Sequence, residues 1–417
     1  MADSIDSPWL TLVGLHEDGL PGLCPAAQQA LAQAQTVFGA PRHLALAQVA
    51  LQPAGRGRPW PVPFALDELL ALRGQQQVVA LVSGDPFWFG AGGSLAERLA
   101  PHEWRSLGQS PTFSLVAAQL GWRLEHTDCL GLHASAHQQL LPLLAPGRQC
   151  IVLLRDGAAA LALAQWLQAE GWGASAYWVL QALGGPQARC RHWPAAQQAI
   201  AALQAEPAQA PVAVALRAAG GRALPAAPGR SEDWFAHDGQ ISKAPVRALT
   251  LAALAPVRDA HLWDIGSGSG AVAVEWCLAG GSATSIEALP ARAANIRANA
   301  QRFGLQQRLQ VLQGKAPDAL QPQDGAPPLP APQAVFVGGG FDAALFAWLQ
   351  AQLPPGCRLV VNAVTLQTQA LLTQLHGQHG GQLLKIDIAS AAPLGRMHGW
   401  QAARTLLQWC WQRGGWV

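Results

Sequence analysis

The sequence predicts an α/β protein of two domains, and three observations carry that expectation. Apolar runs of strand length alternate with helix-length stretches, most regularly in the second half. That rhythm builds a mostly parallel sheet covered by helices on both faces. At 417 residues the chain also exceeds a typical single domain. Finally, Trp263-Asp264-Ile265-Gly266-Ser267-Gly268-Ser269-Gly270-Ala271 runs an apolar strand straight into glycines and then into a helix.

In chain order, the first half predicts a strand at 9–14, a helix at 25–34 and a strand at 78–82 ending in Ser83-Gly84-Asp85-Pro86. A helix follows at 94–99. A second α/β lobe is expected from about Glu103, with helices at 112–120 and 158–170 and strands at 149–154, 177–180 and 212–216. Between Gly220 and Gly239 the chain is rich in Gly and Pro and reads as a linker. The second half predicts seven strands, at 262–265, 284–287, 309–312, 334–337, 358–362, 383–388 and 405–411. Helices are expected at 290–303, 343–352 and 366–376, with an amphipathic one at 271–278 and none between the last two strands.

Composition narrows the function classes. The chain is half apolar and 12% charged, with a net charge of +2. So small an excess argues against a broad nucleic-acid footprint. The first residues are polar and acidic and no uninterrupted apolar run reaches membrane-spanning length, so neither a secretory signal nor a membrane span is expected. Seven scattered cysteines, none spaced Cys-x-x-Cys, fit buried thiols in a reducing, cytoplasmic setting. His376-x-x-His379 and His133-x-x-x-His137 lack an acidic third ligand nearby, and no metal site is expected.

The glycine segment reads as a nucleoside pocket. Glycines let the backbone approach a ligand, and the bare amides of a helix start favour polar groups. Glu287, one strand later, stands where it could accept both hydroxyls of a ribose. Two ligands fit the spacing. Gly266-x-Gly268-x-x-Ala271 matches a dinucleotide fingerprint, and Asp264-x-Gly266-x-Gly268-x-Gly270 matches an S-adenosylmethionine (SAM) loop. The carboxylate of Asp264 favours SAM, whose ammonium and sulfonium it attracts, over a pyrophosphate it would repel. A nicotinamide-dependent oxidoreductase remains the alternative, beside a methyltransferase acting on RNA or protein.

Other segments resemble a known family. Val13-Gly14-Leu15-His16-Glu17-Asp18-Gly19-Leu20, Ser83-Gly84-Asp85-Pro86-Phe87-Trp88-Phe89-Gly90 and Ser110-Pro111-Thr112-Phe113-Ser114-Leu115 resemble the tetrapyrrole methylases. The stretches from Phe235 to Arg247, Gly314 to Leu320, Val335 to Gly340, Val361 to Leu366 and Pro393 to Trp400 resemble the partner domain of the corrin pathway. Nearly the whole chain is similar to the fused precorrin-6B (precorrin-6Y) methyltransferase (decarboxylating) family of cobalamin biosynthesis. The resemblance implies a two-lobed tetrapyrrole methylase domain over 1–222, a linker over 223–239 and a Rossmann-like, seven-stranded class I methyltransferase domain over 240–417. It implies methylation of ring carbon 5 by the first domain. The second would methylate carbon 15 and decarboxylate the acetate on carbon 12, giving precorrin-8. It also implies a homo-oligomer.

By the same resemblance, Ser242, Gly266, Ser267, Gly268, Ser269, Gly270, Glu287 and Ala316 would hold SAM in the second domain, and Asp264 joins these cofactor-binding residues on the ground of its charge. Gly84 and Asp85, with Ser110 and Thr112 opposite, would line a second SAM site. Two departures stand out: Leu132-His133-Ala134-Ser135 replaces Leu-His-Gly-Arg, and Lys315 stands where relatives carry an acid. A polycarboxylate substrate should meet cations. Lys243, Arg247 and Arg396 are the candidates for that role, with His398 and His237 as proton carriers.

Overall fold

The computed structural model describes residues 8–321 and 327–415. Its contacts divide the chain into two units, residues 1–137 with 143–223, and residues 138–142 with 224–417.

The first unit opens with β1 (Leu10–Leu15), α1 (Pro25–Gln33), β2 (Thr36–Gly39), α2 (Pro41–Leu46), β3 (Gly57–Pro59), α3 (Asp67–Leu70), β4 (Val78–Ser83), α4 (Gly92–Ala96) and β5 (Trp104–Leu107). The five strands pair in parallel in the order β3-β2-β4-β1-β5. β1 and β4 are apolar at nearly every position because helices cover both faces. β5 corrects the expected lobe boundary: residues 104–107 close the first sheet, and the second lobe begins after them.

The second lobe contains α5 (Thr112–Leu120), β6 (Thr127–Leu132), β7 (Gln149–Leu154), α6 (Gly157–Ala169), β8 (Ala176–Gln181), β9 (Arg189–Trp193), α7 (Ala196–Ala205) and β10 (Val212–Arg217). Its sheet runs β6-β7-β10-β8-β9, parallel only between β6 and β7. Asp156 caps α6 by accepting from the Ala159 N–H at 2.9 Å.

The second unit contains α8 (Ala244–Leu254), β11 (His261–Ile265), α9 (Ala271–Leu278), β12 (Ser282–Glu287), α10 (Pro290–Arg302), β13 (Leu309–Gln313), β14 (Ala334–Val337), α11 (Ala343–Gln352), β15 (Arg358–Ala363), α12 (Leu366–His379), β16 (Gln382–Ile386), β17 (Ala389–Leu394), β18 (Met397–Ala402) and β19 (Leu406–Gln412). Seven strands form one sheet, β13-β12-β11-β14-β15-β19-β16, parallel except for β19. Strand order reverses on either side of β11, and a crevice opens at the carboxyl end of such a central strand. β17 and β18 form a separate hairpin between the last two sheet strands, absent from the sequence expectation.

Two further expectations change. α9 is not amphipathic: its residues from Ala271 to Cys277 are all buried, Glu275 among them. The Gly/Pro-rich stretch expected as a linker is held against the second unit from Gly229 onward. The Gly229 and Arg230 N–H groups donate to Glu275 at 2.7 and 3.0 Å. Arg247, fully buried on α8, donates from Nε to the same carboxylate at 2.7 Å. Its remaining nitrogens reach the carbonyls of Ser242 and Arg230, and its guanidinium stacks on Phe235 at 4.9 Å. Arg230, also buried, lies 3.5 Å from Glu275.

A buried ion pair is costly to break because the surviving partner loses its compensation. Glu275→Ala leaves Arg247 and Arg230 without their shared counter-charge. Its expected cost is about 3–5 kcal/mol, measurable as a lower urea midpoint for the second unit; an unchanged midpoint would contradict this role.

Candidate functional site

In the second unit the site is built where β11 and β12 end. Ile265 pairs with Ile286, which brings Gly266 and Glu287 to adjacent strand ends. The Gly266 and Ser267 N–H groups both donate to the Ile286 carbonyl, at 3.0 and 3.2 Å, so the chain turns sharply there. Gly266 and Gly270 have φ of +65° and +74°. A Cβ on Gly266 would lie 2.6 Å from the Gly339 oxygen, and one on Gly270 would lie 2.7 Å from Ile296 Cγ2. Neither position admits a side chain.

Glu287 is buried, and both of its oxygens accept backbone donors: Gly268 N–H at 2.8 Å and Leu289 N–H at 2.9 Å. Each oxygen keeps a second acceptor direction. Asp264 is wholly buried beneath the loop. The Ser267 hydroxyl donates to it at 2.6 Å and also touches Ser285 Oγ at 3.1 Å. Burial lifts the Asp264 carboxyl from 3.8 to about 7, with nearby Glu287 adding to the rise and hydrogen bonds from Ser267 and Ala273 opposing it. The sequence reading aimed this carboxylate at a ligand, but its place is under the loop, which it shapes.

Asn299 on α10 joins the loop to the segment before α8. Its amide donates to the carbonyls of Ser269 at 2.8 Å and Ala236 at 3.0 Å, and its oxygen accepts from the Ala236 N–H at 2.7 Å. Sequence pattern gave no sign of this buried tie. The same segment brings Gln240 over the loop, 3.3 Å from where a Gly268 Cβ would sit. Ser242 is half-buried, and Lys243 is exposed at the start of α8. Ala316 is half-buried beside an exposed Lys315. Arg247 is enclosed and faces no cleft. Arg396 and His398 are exposed on the β17–β18 hairpin. Among the described residues, no hydrogen bond or ion pair ties them to the glycine loop.

The first unit holds a cleft made of two cavities, of about 220 and 100 Å³. The larger is walled by aromatic rings, among them Trp60, Trp88, Phe89 and Phe113. The smaller is lined by His16, Glu17 and Arg42 at one end. Ser83, Thr112, His133 and Leu153 line both. Of the residues expected here, Thr112 faces both cavities. Gly84, Asp85 and Ser110 shape the neighbouring turn instead. The Gly84 carbonyl accepts from Gln109 N–H at 3.1 Å, Asp85 accepts from the Phe87 N–H at 2.8 Å, and a Cβ on Gly84 would meet the Ser110 carbonyl at 3.0 Å.

Sequence reasoning missed the polar floor of this cleft. His43 Nε2 lies 2.9 Å from Ser83 Oγ and 2.8 Å from Arg42 Nη2, and Arg42 is ion-paired with Glu17. Burial and the adjacent Arg42 push the His43 imidazole down to about 4, so it is neutral near pH 7. Glu17 and Ser83 lie in segments that resemble the tetrapyrrole methylases, but Arg42 and His43, in the first turn of α2, lie in no motif, so the group as a whole was not legible.

Two domain families match, each covering most of one unit: Tetrapyrrole (Corrin/Porphyrin) Methylases over residues 10–199 and the precorrin methyltransferase domain over residues 233–413. A precorrin-6Y C(5,15)-methyltransferase [decarboxylating] from Sinorhizobium sp is 42% identical over 417 residues, spanning 99% of this chain and 98% of that protein. The chain belongs to the precorrin-6Y C(5,15)-methyltransferase (decarboxylating) family. It is therefore an enzyme of the methyltransferase class, and the nicotinamide alternative falls away. A cobalt-precorrin-6B C(15)-methyltransferase (decarboxylating) from Salmonella typhimurium is 34% identical over 166 residues, 38% of this chain and 81% of that one. A crystal structure of the C-terminal domain of precorrin-6Y C5,15-methyltransferase from Rhodobacter capsulatus is 58% identical, with a TM-score of 0.44, covering 46% of this chain and all of that one.

The raised Asp264 pKa has a stability consequence. Folding opposes ionisation of this carboxyl, so its contribution is most favourable below about pH 4 and declines until about pH 7. Asp264→Asn removes that decline. The melting temperature of the variant relative to wild type should rise between pH 4 and 7 and level off above; a constant difference would contradict the buried carboxyl.

Proposed function

We propose that this chain is a bifunctional SAM-dependent methyltransferase of corrin synthesis. It methylates precorrin-6B at carbons 5 and 15 and decarboxylates the acetate on carbon 12, giving precorrin-8. Residues 1–222 carry the first methylation, residues 240–417 carry the second with the decarboxylation, and 223–239 lie between. The observation that carries this reading is the loop from Gly266 to Gly270, braced by Glu287 at the neighbouring strand end. A half-size relative named for carbon 15 chemistry alone supports dividing the labour between two units.

The residues present fit SAM. Glu287 keeps acceptor directions for ribose hydroxyls, the glycines leave the loop backbone bare, Ser242 follows the Gln240 segment that lies over the loop, and Ala316 follows β13, whose end pairs with Glu287. SAM supplies an electrophilic methyl group when bound. The protein's part is alignment and exclusion of water, which account for most of the rate of an in-line displacement. The carbons of a reduced tetrapyrrole are electron-rich and need no added nucleophile. Lys243 and Arg396 are the exposed cations offered to the substrate's carboxylates in the second unit, with the exposed His398 and His237 as proton carriers. Arg247 instead fixes the backbone at Ser242 from below.

The same reading covers assembly and location. The β17–β18 hairpin exposes Leu394, Met397 and Trp400, at 70, 75 and 81%. A cluster of that kind is expected to be covered, here by another copy in a homo-oligomer. All seven cysteines are free, two of them exposed, which supports a cytoplasmic setting. Among the described residues, no helix is long and apolar enough to cross a membrane.

Incubation with precorrin-6B and methyl-labelled SAM, read by mass spectrometry, tests the proposal. Two methyl additions and one loss of carbon dioxide are expected; unchanged substrate would refute it. Glu287→Ala should abolish methylation at carbon 15 and leave that at carbon 5. Loss of both in a folded variant would contradict the division between units.

A further inference from the structure

Replacing a ring hydrogen by methyl releases a proton, and the donor does not take it. Carbon 5 gives its electron pair to the incoming methyl. The sulfur keeps the pair of the broken bond and leaves as a neutral thioether, which is too weak a base. The hydrogen on carbon 5 must then depart as a proton, its bonding pair restoring the ring double bond. A base has to stand where methyl donor and ring meet.

The titratable side chains lining the first unit's cleft are His16, Glu17, Arg42, His43 and His133. Glu17 and Arg42 neutralise each other. His43 is buried, with Nε2 occupied by Ser83 and Arg42. His16 lines only the smaller cavity, wedged beside Gly84 and Gly184. His133 differs on every count. It follows directly on β6, is exposed toward the cleft, and lines both cavities at their junction. No hydrogen-bond or ion-pair partner is found for it among the described residues.

We propose that His133 is the general base that accepts the proton from carbon 5. The inference rests on the functional reading above. If one cavity takes the methyl donor and the other the ring, the reacting carbon lies at the junction His133 lines. Partial burial lowers its imidazole below the ordinary value, which leaves it neutral and able to accept at physiological pH.

The test uses the full-length protein with His133→Gln and His133→Ala. Carbon 5 methylation should fall about 10²-fold or more, while carbon 15 methylation and decarboxylation stay within experimental error. Added imidazole should restore the Ala variant, and the acidic limb of the wild-type carbon 5 pH–rate profile should vanish in both variants. Independently of turnover, the histidine resonance missing from the variants' spectra should titrate below the ordinary imidazole value and shift when S-adenosylhomocysteine binds. Variants that keep their carbon 5 rate would overturn the inference. So would a loss without rescue, a retained acidic limb (which would assign it to His16, Glu17 or His43), or an unmoved resonance. A wild-type chain that adds no methyl at carbon 5 would overturn the functional reading as well.

Discussion

Glu287 ends one strand and holds the turn that ends its neighbour. Its carboxylate takes the Gly268 N–H on one oxygen and the Leu289 N–H on the other. Charge-assisted bonds to backbone donors are among the stronger hydrogen bonds, and here they are shielded from water. The conformation of the glycine turn therefore depends on a group one strand away, and that group still has acceptor directions to offer a ligand. Removing it would loosen the turn and strip the crevice of its acceptor together.

The surrounding polar groups extend this constraint. Asp264 and Ser267 prop the loop from beneath, and Asn299 ties Ser269 to Ala236. Glu275, with two guanidiniums, fixes the segment that carries Ser242. Asn299 and Glu275 are buried side chains that satisfy backbone groups no helix or sheet uses, and an unpaired polar group there would be costly. Rigidity at this crevice comes from polar ties as much as from the apolar sheet. The first unit solves the same problem differently. Its cleft has an aromatic wall and a polar floor, with His43 held uncharged between Arg42 and Ser83.

The sheet strands of the second unit were legible in the sequence to within two residues, most clearly the central β11, β14 and β15, whose burial on both faces makes them largely apolar runs. The glycine loop and Glu287 were legible for the same local reason. Other features were not. The β17–β18 hairpin lacks a buried face, so Ala389–Leu394 shows no useful alternation. β9 carries charged residues along much of its length, and β6 opens with Thr127-Asp128 and buries only Leu132 fully. Arg247 read as a substrate-facing cation because its counter-charge sits 28 residues away, on a helix whose burial its sequence did not reveal. Gly229 read as linker because the partner of its N–H was equally hidden. Local pattern reports burial well and long-range polar pairing poorly, and the candidate sites are made largely of the latter.

Two separate crevices for one methyl donor are the core of this account. Calorimetric titration of the intact chain with S-adenosylhomocysteine measures that directly. Two equivalents bound per chain is the expected result; one equivalent or none would contradict it.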